Sequence, residues 1–378
     1  MSGRYQVVSA TLGIQIRSDD WTQNGLTGYM QAEQLFLNFY EVVRLRVEAP
    51  RKTIEFLRSE WNSFCVSPSN AAPHIFARIR PWRDGREASS KLAKTLITGT
   101  FRGCYKGYQW RAVTYQDGET TTVDYSAMPK SSLLLKDSML EPLVMKLLAE
   151  HGLFGFHASA ANINGKAWMI CGSSKSGKTA MALISHRNGH PILSDDTCVL
   201  GRDALYPYPS PPRIYLRTLR PDRLLEGLLP GDVLARLMVN GLVSLGTLGQ
   251  LRIPTRLTSE SLDASSPRNP RPIRLGGLIF LRMTDESISV SPAAHNDAIR
   301  ETLQSHQSEH ASAFLRLITR AAESTPDRGA FSERLLDSMT EEKRCIIVTL
   351  KRRMVLEEWN ALFSEIERYA KSLDAGVA

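Results

Sequence analysis

The chain has 378 residues with a formal net charge of +8, and 42% of its residues are hydrophobic while 23% are charged, which excludes a fibrous or disordered protein and predicts about two domains. The five cysteines have no paired spacing, which argues against a zinc site or a disulfide framework and favours a reducing, cytoplasmic setting. There is no apolar run of membrane-spanning length, no signal peptide and no basic stripe with interleaved aromatic residues, so we expect neither a membrane nor a nucleic acid as partner.

Residues 1–135 predict a mainly β (α+β) domain, for which peptide recognition is a candidate role. Residues 5–17 alternate as in a strand. Between Tyr29 and Val43 apolar residues recur at helical spacing and predict a helix, which competes with a strand over 42–47. Further strands are predicted at 74–79, 108–115 and 120–125, with Asp117-Gly118 as the hairpin turn between the last two. Four tryptophans are expected in the core of this domain: Trp21, Trp61, Trp82 and Trp110.

The second predicted domain covers 136–378 and opens with a helix over 138–151 that has one apolar face. Asp137 or Ser138 is expected to cap this helix, and Glu141 follows Ser138 at the spacing of a capping box. A strand is predicted over 154–160, and Asn164-Gly165 turns the chain into the next strand. His157 lies within the first of these strands. A packed core histidine is the simpler interpretation, and a contact to a phosphate, a metal or an acceptor hydroxyl is the functional one.

The next stretch, Gly172-Ser173-Ser174-Lys175-Ser176-Gly177-Lys178-Thr179, follows the phosphate-binding loop pattern G-x-x-x-x-G-K-[ST]. An apolar strand precedes it, and residues 180–189 have helix formers and a closing glycine, so the expected strand–loop–helix context is present. All eight residues are candidate nucleotide-binding residues. The glycines let backbone N–H groups surround a phosphate, Lys178 reaches the β- and γ-phosphates, and the Thr179 hydroxyl suits Mg²⁺.

Two adjacent carboxylates, Asp195 and Asp196, follow a short apolar strand over 191–194. Acids at the carboxyl end of a strand suit a magnesium–phosphate site, since ligands bind at that edge of a sheet. One acid can hold the metal together with Thr179, and the other can accept the proton of an attacking hydroxyl. The sequence favours Asp195 for the metal and Asp196 for the proton without deciding between them. The alternative is a solvated turn.

The rest of the chain predicts connecting elements. A proline-rich piece over 206–213 is expected to cross near the site. Arg213, Arg217 or Arg220 could neutralise a γ-phosphate, although a solvated face is the simpler interpretation. We predict helices at 221–229, 232–239, 294–323, 328–338 and 355–373, strands at 275–282 and 345–350, and a polar loop over 258–271.

His157, the loop, Gly189-His190 and the Asp195-Asp196 pair together resemble the catalytic core of HPr kinase/phosphorylase, a family related to phosphoenolpyruvate carboxykinases. The resemblance covers about 45 residues, from His157 to Leu200. It implies an α/β, P-loop kinase domain of that type, which uses ATP and Mg²⁺ and has Asp196, Asp195, His157 and Lys178 as catalytic residues. His190 is read as structural.

The chain resembles the stand-alone relatives of that family most, including kinases that phosphorylate a serine of a lasso-peptide precursor. The implied partner is a peptide or small protein that carries a serine. Ala158 and the loop interior depart from the family pattern, and the later glycine-rich signature is not found, so phosphorolysis stays open while the kinase reaction is implied. A small-molecule hydroxyl kinase, a regulatory nucleotide-binding module and homo-oligomerisation also remain open.

Overall fold

The computed structural model describes residues 32–81, 96–105, 108–127, 135–173, 176–214, 231–246, 255–257, 270–285, 287–293, 344–351 and 354–375. Over these residues the chain is a mixed α/β protein, and its contacts divide it into two units. One unit contains the described residues of 32–59 and 65–144, and the other contains 60–64 and those from 145 onward. No helix among the described residues is long and apolar enough to cross a membrane.

The first unit is built on a six-stranded sheet. In chain order its strands are β1 (Ala32–Phe39), β2 (Val43–Pro50), β3 (Ile75–Pro81), β4 (Leu96–Tyr105), β5 (Tyr108–Asp117) and β6 (Thr120–Ala127). Their order across the sheet is β1-β2-β3-β6-β5-β4. The β2–β3 and β3–β6 pairs are parallel, and the other pairs are antiparallel. Helix α1 (Arg51–Glu60) lies in the crossover between β2 and β3 that a parallel pair requires.

The helix predicted between Tyr29 and Val43 is wrong wherever the structure describes it, because β1 occupies Ala32–Phe39. The side chains of Leu35, Leu37 and Phe39 are buried in alternation, which is the period of a strand. Pairing with β2 along its whole length therefore overrides the helical spacing of a few apolar residues. The competing prediction of a strand over 42–47 is confirmed by β2.

The second unit is built on a nine-stranded sheet. Its strands are β7 (Phe154–Phe156), β8 (Ser159–Ile163), β9 (Lys166–Gly172), β10 (Ile192–Ser194), β11 (Cys198–Leu200), β12 (Ala204–Tyr206), β15 (Ile273–Thr284), β16 (Ser289–Pro292) and β17 (Cys345–Lys351). A separate pair is formed by β13 (Arg213–Ile214) and β14 (Thr255–Arg256). The long strand β15 connects the two halves of the sheet, since its start pairs with β12 and the rest lies parallel to β9 and β17.

The remaining described elements are a short 3-10 helix at Asn62–Phe64 and four further α-helices. These α-helices are α2 (Glu141–Glu150), which continues a short π-helical turn at Lys136–Leu140, α3 (Lys178–Arg187), α4 (Gly231–Gly246) and α5 (Leu356–Asp374). Successive residues of β9 alternate between two apolar clusters: Met169 and Cys171 enter one, and Trp168 and Ile170 enter the other. Helices α3 and α5 contribute to the second cluster, so both cover the same face of the sheet.

One edge of this sheet collects the ends of three strands. Strand β8 is antiparallel to both β9 and β10, so β9 and β10 run in the same direction. Both therefore finish at the edge where β8 begins. Residues that follow β9 and β10, and residues that precede β8, meet at this edge, as ligand-binding residues do in open α/β sheets.

Most predicted elements within the described residues are confirmed. Those are the strands at 74–79, 108–115, 120–125, 191–194, 275–282 and 345–350, the helices at 180–189, 232–239 and 355–373, and the turn at Asn164-Gly165. The hairpin predicted at Asp117-Gly118 is present, but its turn lies one residue later, at Gly118 and Glu119, because Asp117 still pairs with Thr120. Other predictions lie outside the described residues: 5–17, 221–229, 258–269, 294–323, 328–338, Trp21 and Trp82.

Three expectations need correction. The strand predicted over 154–160 is two strands, because the chain leaves the sheet at His157 and Ala158. Asp137 and Ser138 both lie inside the π-helical turn at Lys136–Leu140, and the N-cap position is occupied by Leu135 instead. Trp61 is fully buried as expected, but its contacts place it in the second unit.

Candidate functional site

The loop between β9 and α3 contains the residues predicted to bind phosphate. Strand β9 ends at Gly172 and α3 begins at Lys178, so the predicted strand, loop and helix are confirmed. Gly177 precedes the helix with a φ of +100°, a conformation that side chains other than glycine adopt at a cost. Ser174 and Lys175 lie outside the described residues.

Gly172 occupies a position where a side chain would clash with its neighbours. Its φ is +152°, and a Cβ atom there would lie 2.5 Å from Ser176 Oγ and 2.9 Å from the backbone oxygen of Leu281. The loop backbone therefore lies directly against β15. Ser176 itself is only 1% exposed, and its hydroxyl has no hydrogen-bond partner in the described part of the chain. A buried polar atom of this kind costs about 1–3 kcal/mol, so the loop is better satisfied with a polar ligand than without one.

The Lys178 side chain folds back over the loop. It is only 7% exposed, and its Nζ donates to the backbone oxygens of Gly172, at 2.9 Å, and Ser173, at 3.3 Å. Ser173 is exposed. The ammonium group is thus held at the mouth of the loop by acceptors that carry no full charge. An anion placed there would be a stronger acceptor than either carbonyl.

Asp195 follows β10 and points into the protein, where it is 3% exposed. Its Oδ1 accepts hydrogen bonds from Ser159 Oγ at 2.6 Å and from Thr179 Oγ1 at 3.1 Å. The backbone N–H of Arg213 also donates to this carboxylate. Burial nevertheless raises the pKa of Asp195, and the negative charge of Asp196 adds to the rise, while these hydrogen bonds oppose it.

Asp196 points the other way. Its φ of +71° is uncommon for a residue other than glycine, although aspartate tolerates it better than most. This backbone turn leaves the Asp196 side chain 56% exposed, with Oδ1 3.5 Å from Nδ1 of His157. Two adjacent acids therefore have different surroundings, one buried against a threonine hydroxyl and one at the surface beside a histidine.

Sequence reasoning missed the residues that hold Asp195 in place. Ser159 is the first residue of β8, two positions after His157, and the uninterrupted strand predicted over this stretch concealed it. Ser210 donates to the backbone oxygen of Asp195 at 2.6 Å, which confirms that the proline-rich piece crosses near these acids. No local pattern distinguishes either serine from an ordinary surface hydroxyl.

The segment 60–64 supports the same piece of chain. Trp61 Nε1 donates to the Tyr208 hydroxyl at 2.7 Å, and the backbone N–H of Tyr208 donates to Ser194 Oγ at 2.8 Å. The Glu60 carboxylate is buried and bonds the guanidinium group of Arg256, with Arg213 at 3.7 Å. Since the backbone of Arg213 bonds Asp195, this network connects Glu60 indirectly to the site.

The remaining predicted residues are not brought into the site or are not described. His190 lies 3.9 Å from Glu367 and 5.3 Å, between ring centres, from Phe363, which agrees with a structural role. Arg217 and Arg220 lie outside the described residues. The thiol of Cys171 is fully buried beside the loop, and burial raises its pKa to about 12, so it is not a nucleophile at neutral pH.

Thr179 and Asp195 are the candidate-site residues that could hold a magnesium ion, and they would supply only part of its coordination shell. Among the described residues, no group of three or more histidine, cysteine, aspartate or glutamate side chains could bind a metal without help. Thr179 and Asp195 supply a hydroxyl and a carboxylate, the oxygen donors that Mg²⁺ takes when phosphates and waters complete its shell. The donor set fits a magnesium–nucleotide complex and does not fit a structural metal.

Comparison with known proteins does not assign the chain to a family. No protein-family model matches the sequence, and no curated protein matches it. The geometry described above is therefore the basis for a functional inference.

Proposed function

We propose that this protein is an ATP- and Mg²⁺-dependent kinase with a P-loop domain of the HPr kinase type. In this proposal it transfers the γ-phosphoryl group of ATP to the serine hydroxyl of a peptide or small protein. The observation that carries the proposal is the contact of 3.1 Å between the hydroxyl of Thr179, in the first turn of α3, and the buried carboxylate of Asp195. Without a metal-bound nucleotide to hold, a buried acid beside this loop would be a net cost.

The loop would bind the phosphates. Gly172 and Gly177 leave its backbone N–H groups free of side chains, and the N-terminus of α3 adds partial positive charge. Lys178 is already held at the loop by two carbonyl groups, and it would exchange them for β- and γ-phosphate oxygens. This exchange is favourable because charge-assisted hydrogen bonds are the stronger ones.

Thr179 and Asp195 would hold the metal, which supplies charge neutralisation across the β- and γ-phosphates when bound. Ser159 and the backbone N–H of Arg213 fix the orientation of the Asp195 carboxylate, so it does not need to reorganise. Burial raises the pKa of Asp195 and so disfavours its ionised form. A nearby cation would stabilise the ionised carboxylate and offset that effect.

Asp196 would act as the general base. The serine oxygen forms a bond to the γ-phosphorus, the bond from that phosphorus to the β-bridging oxygen breaks, and ADP leaves. The hydroxyl proton passes to the Asp196 carboxylate, a transfer worth about 10²–10⁴-fold in rate. His157, at 3.5 Å, can orient that carboxylate.

A macromolecular acceptor is supported by the exposure of Asp196. A small-molecule kinase would be expected to enclose its base in a pocket, whereas the Asp196 side chain is 56% exposed and can be reached from solvent. The choice of a serine rests on the resemblance to HPr kinase-like enzymes, so a small-molecule hydroxyl kinase is the alternative to be tested.

The experiment is phosphoryl transfer measured by mass spectrometry, with ATP, Mg²⁺ and a library of serine peptides in which each serine is matched by an alanine version. Lys178→Ala is expected to weaken binding of a fluorescent ATP analogue and to abolish transfer. Asp196→Asn is expected to keep nucleotide binding and to lower transfer by at least 10²-fold. Asp203→Asn, which removes an exposed acid from another turn, is the matched control.

Three outcomes contradict parts of the proposal. If nucleotide binds with Mg²⁺ and no peptide or small alcohol is ever phosphorylated, the chain is a nucleotide-binding module. If transfer goes only to small hydroxyl compounds, the acceptor class is wrong. Near wild-type transfer by Asp196→Asn would remove that residue from the role of base.

A further inference from the structure

A cavity of about 600 Å³ lies in the first unit, and all of its lining residues belong to that unit. One wall is formed by neighbouring residues of β1 and β2, and the other by the segment 66–73. That segment is tied to β1 by the hydrogen bond from the N–H of Val66 to the Phe36 oxygen, at 3.0 Å. It is tied to β2 by the hydrogen bond from Arg44 Nε to the Ala72 oxygen, also at 3.0 Å. The volume is that of a pocket for a small ligand or a few residues of a peptide.

The charged side chains that line this cavity are both positive. Among the described residues that line it, Arg44 and Arg46 are the charged ones, and no aspartate or glutamate is among them. The other polar side chains at the walls are neutral: Asn38, Ser67, Ser69 and Asn70. A half-buried wall with two guanidinium groups and no acid attracts an anion.

Arg46 lies beside two aromatic rings, and its Nε atom has no acceptor among the described residues. Its guanidinium lies 5.6 Å from the ring centre of Phe36 and 5.1 Å from that of Phe76, so two aromatic faces fix it. Its Nε atom is buried and has no hydrogen-bond partner within the described part of the chain. A preorganised donor loses little conformational entropy when a carboxylate arrives.

Asn38 presents a complementary requirement. It is paired across the strands with Arg44, and its Oδ1 is also buried without a partner in the part of the chain described. This atom needs a donor, whereas Arg46 needs an acceptor. Both residues line the cavity, so a ligand that carries an anionic oxygen and an N–H group would supply what each of them lacks.

We propose that this cavity binds a peptide segment through a carboxylate side chain. The carboxylate would accept from Arg46 and Arg44, and a backbone N–H of the peptide would donate to Asn38. Inorganic phosphate supplies mainly acceptors and has no N–H group, so its hydroxyls would be the only donors it offers to the Asn38 oxygen. The proposal goes beyond the kinase reaction and does not depend on it, because binding is measured without ATP.

The test uses the full chain and a fluorescein-labelled dodecapeptide of alternating glutamate and alanine, with fluorescence anisotropy as the readout. A peptide with glutamine in place of glutamate is the uncharged control. The glutamate peptide is expected to bind, and the glutamine peptide to bind at least tenfold more weakly. Inorganic phosphate at 10-fold excess over the peptide's dissociation constant is expected to displace little of it.

Three variants separate this cavity from the general positive charge of the protein. Arg46→Gln is expected to weaken binding about tenfold or more, because hydrogen bonds to charged groups are among the strong ones. Arg58→Gln, an exposed arginine of α1 outside the cavity, removes the same charge and is expected to change binding less than twofold. Asn38→Asp places a carboxylate opposite Arg44 within the chain, so it is expected to abolish binding without lowering the unfolding temperature.

The results that overturn the proposal are distinct. Absence of saturable binding by the glutamate peptide up to 1 mM removes the site. Equal losses for Arg46→Gln and Arg58→Gln show that net charge alone attracts the peptide. Full displacement by phosphate, with the same dependence on Arg46, makes the cavity a site for small anions instead of peptides. Loss of peptide binding by Asn38→Asp through unfolding is recognised from its thermal transition, and Arg46→Gln then decides.

Discussion

Replacement of Gly172 by alanine is expected to damage the loop between β9 and α3 more than its small size suggests. A residue other than glycine at a φ of +152° costs about 1–3 kcal/mol. The added methyl group would lie 2.9 Å from the backbone oxygen of Leu281, which cannot move without disturbing β15, so overpacking adds about 1–3 kcal/mol. The free energy of unfolding should therefore fall by about 2–6 kcal/mol.

Gly165→Ala is the matched control for this prediction. Gly165 also has a positive φ, +81°, but a Cβ atom there would meet nothing within 4 Å. Only the backbone cost of about 1–3 kcal/mol then applies. Both variants are compared by urea unfolding and by binding of a fluorescent ATP analogue. If Gly172→Ala is no more destabilising than Gly165→Ala, or if it binds nucleotide as well as the wild type, the packing argument for the loop is wrong.

Two further predictions concern buried acids. Burial raises the pKa of Asp195, so its stabilising contribution is present at low pH and is lost as pH rises through the folded-state pKa. Without ligand at pH 8, Asp195→Asn should therefore unfold at a higher temperature than the wild type, and the difference between the two unfolding temperatures should shrink towards pH 4. Mg²⁺–ATP should not raise the unfolding temperature of the variant. A lower unfolding temperature for the variant at pH 8 would contradict this prediction. Glu60→Gln leaves Arg213 and Arg256 facing a neutral partner, so it should lower the free energy of unfolding by about 2 kcal/mol or more. The control variant Glu55→Gln removes an exposed acid and should lower it much less. Equal unfolding midpoints for the two variants would contradict the prediction.

The parts of the fold that the sequence predicted are those encoded over a few neighbouring residues. The loop between β9 and α3 could be predicted from the sequence because two glycines, a lysine and a threonine occur at fixed positions in it. The Asn164-Gly165 turn could be predicted because both residues tolerate a positive φ. Their φ angles in the structure are +53° and +81°.

The parts that were missed depend on pairing between distant segments. Strand β1 was predicted as a helix, since the burial of alternate residues becomes visible only when β2 lies beside it. Ser159 and Glu60 carry no local signal, and their roles arise from contacts with residues 36 or more positions away. The cavity at Arg46 was likewise hidden, because it requires the segment 66–73 to pack against two strands.

Four of the candidate site residues each have a feature that lowers the stability of the fold. Asp195 and Lys178 are polar groups buried almost completely, Ser176 keeps an unpartnered buried hydroxyl, and Asp196 holds an uncommon backbone angle. Each of these features costs free energy, and all four occur at one edge of one sheet, beside two well-packed apolar clusters that supply the compensating stability. A surface turn under no functional constraint would replace a buried acid or an unpaired serine by residues that cost less. Their concentration beside the N-terminus of α3 supports the proposed site for a metal-bound triphosphate.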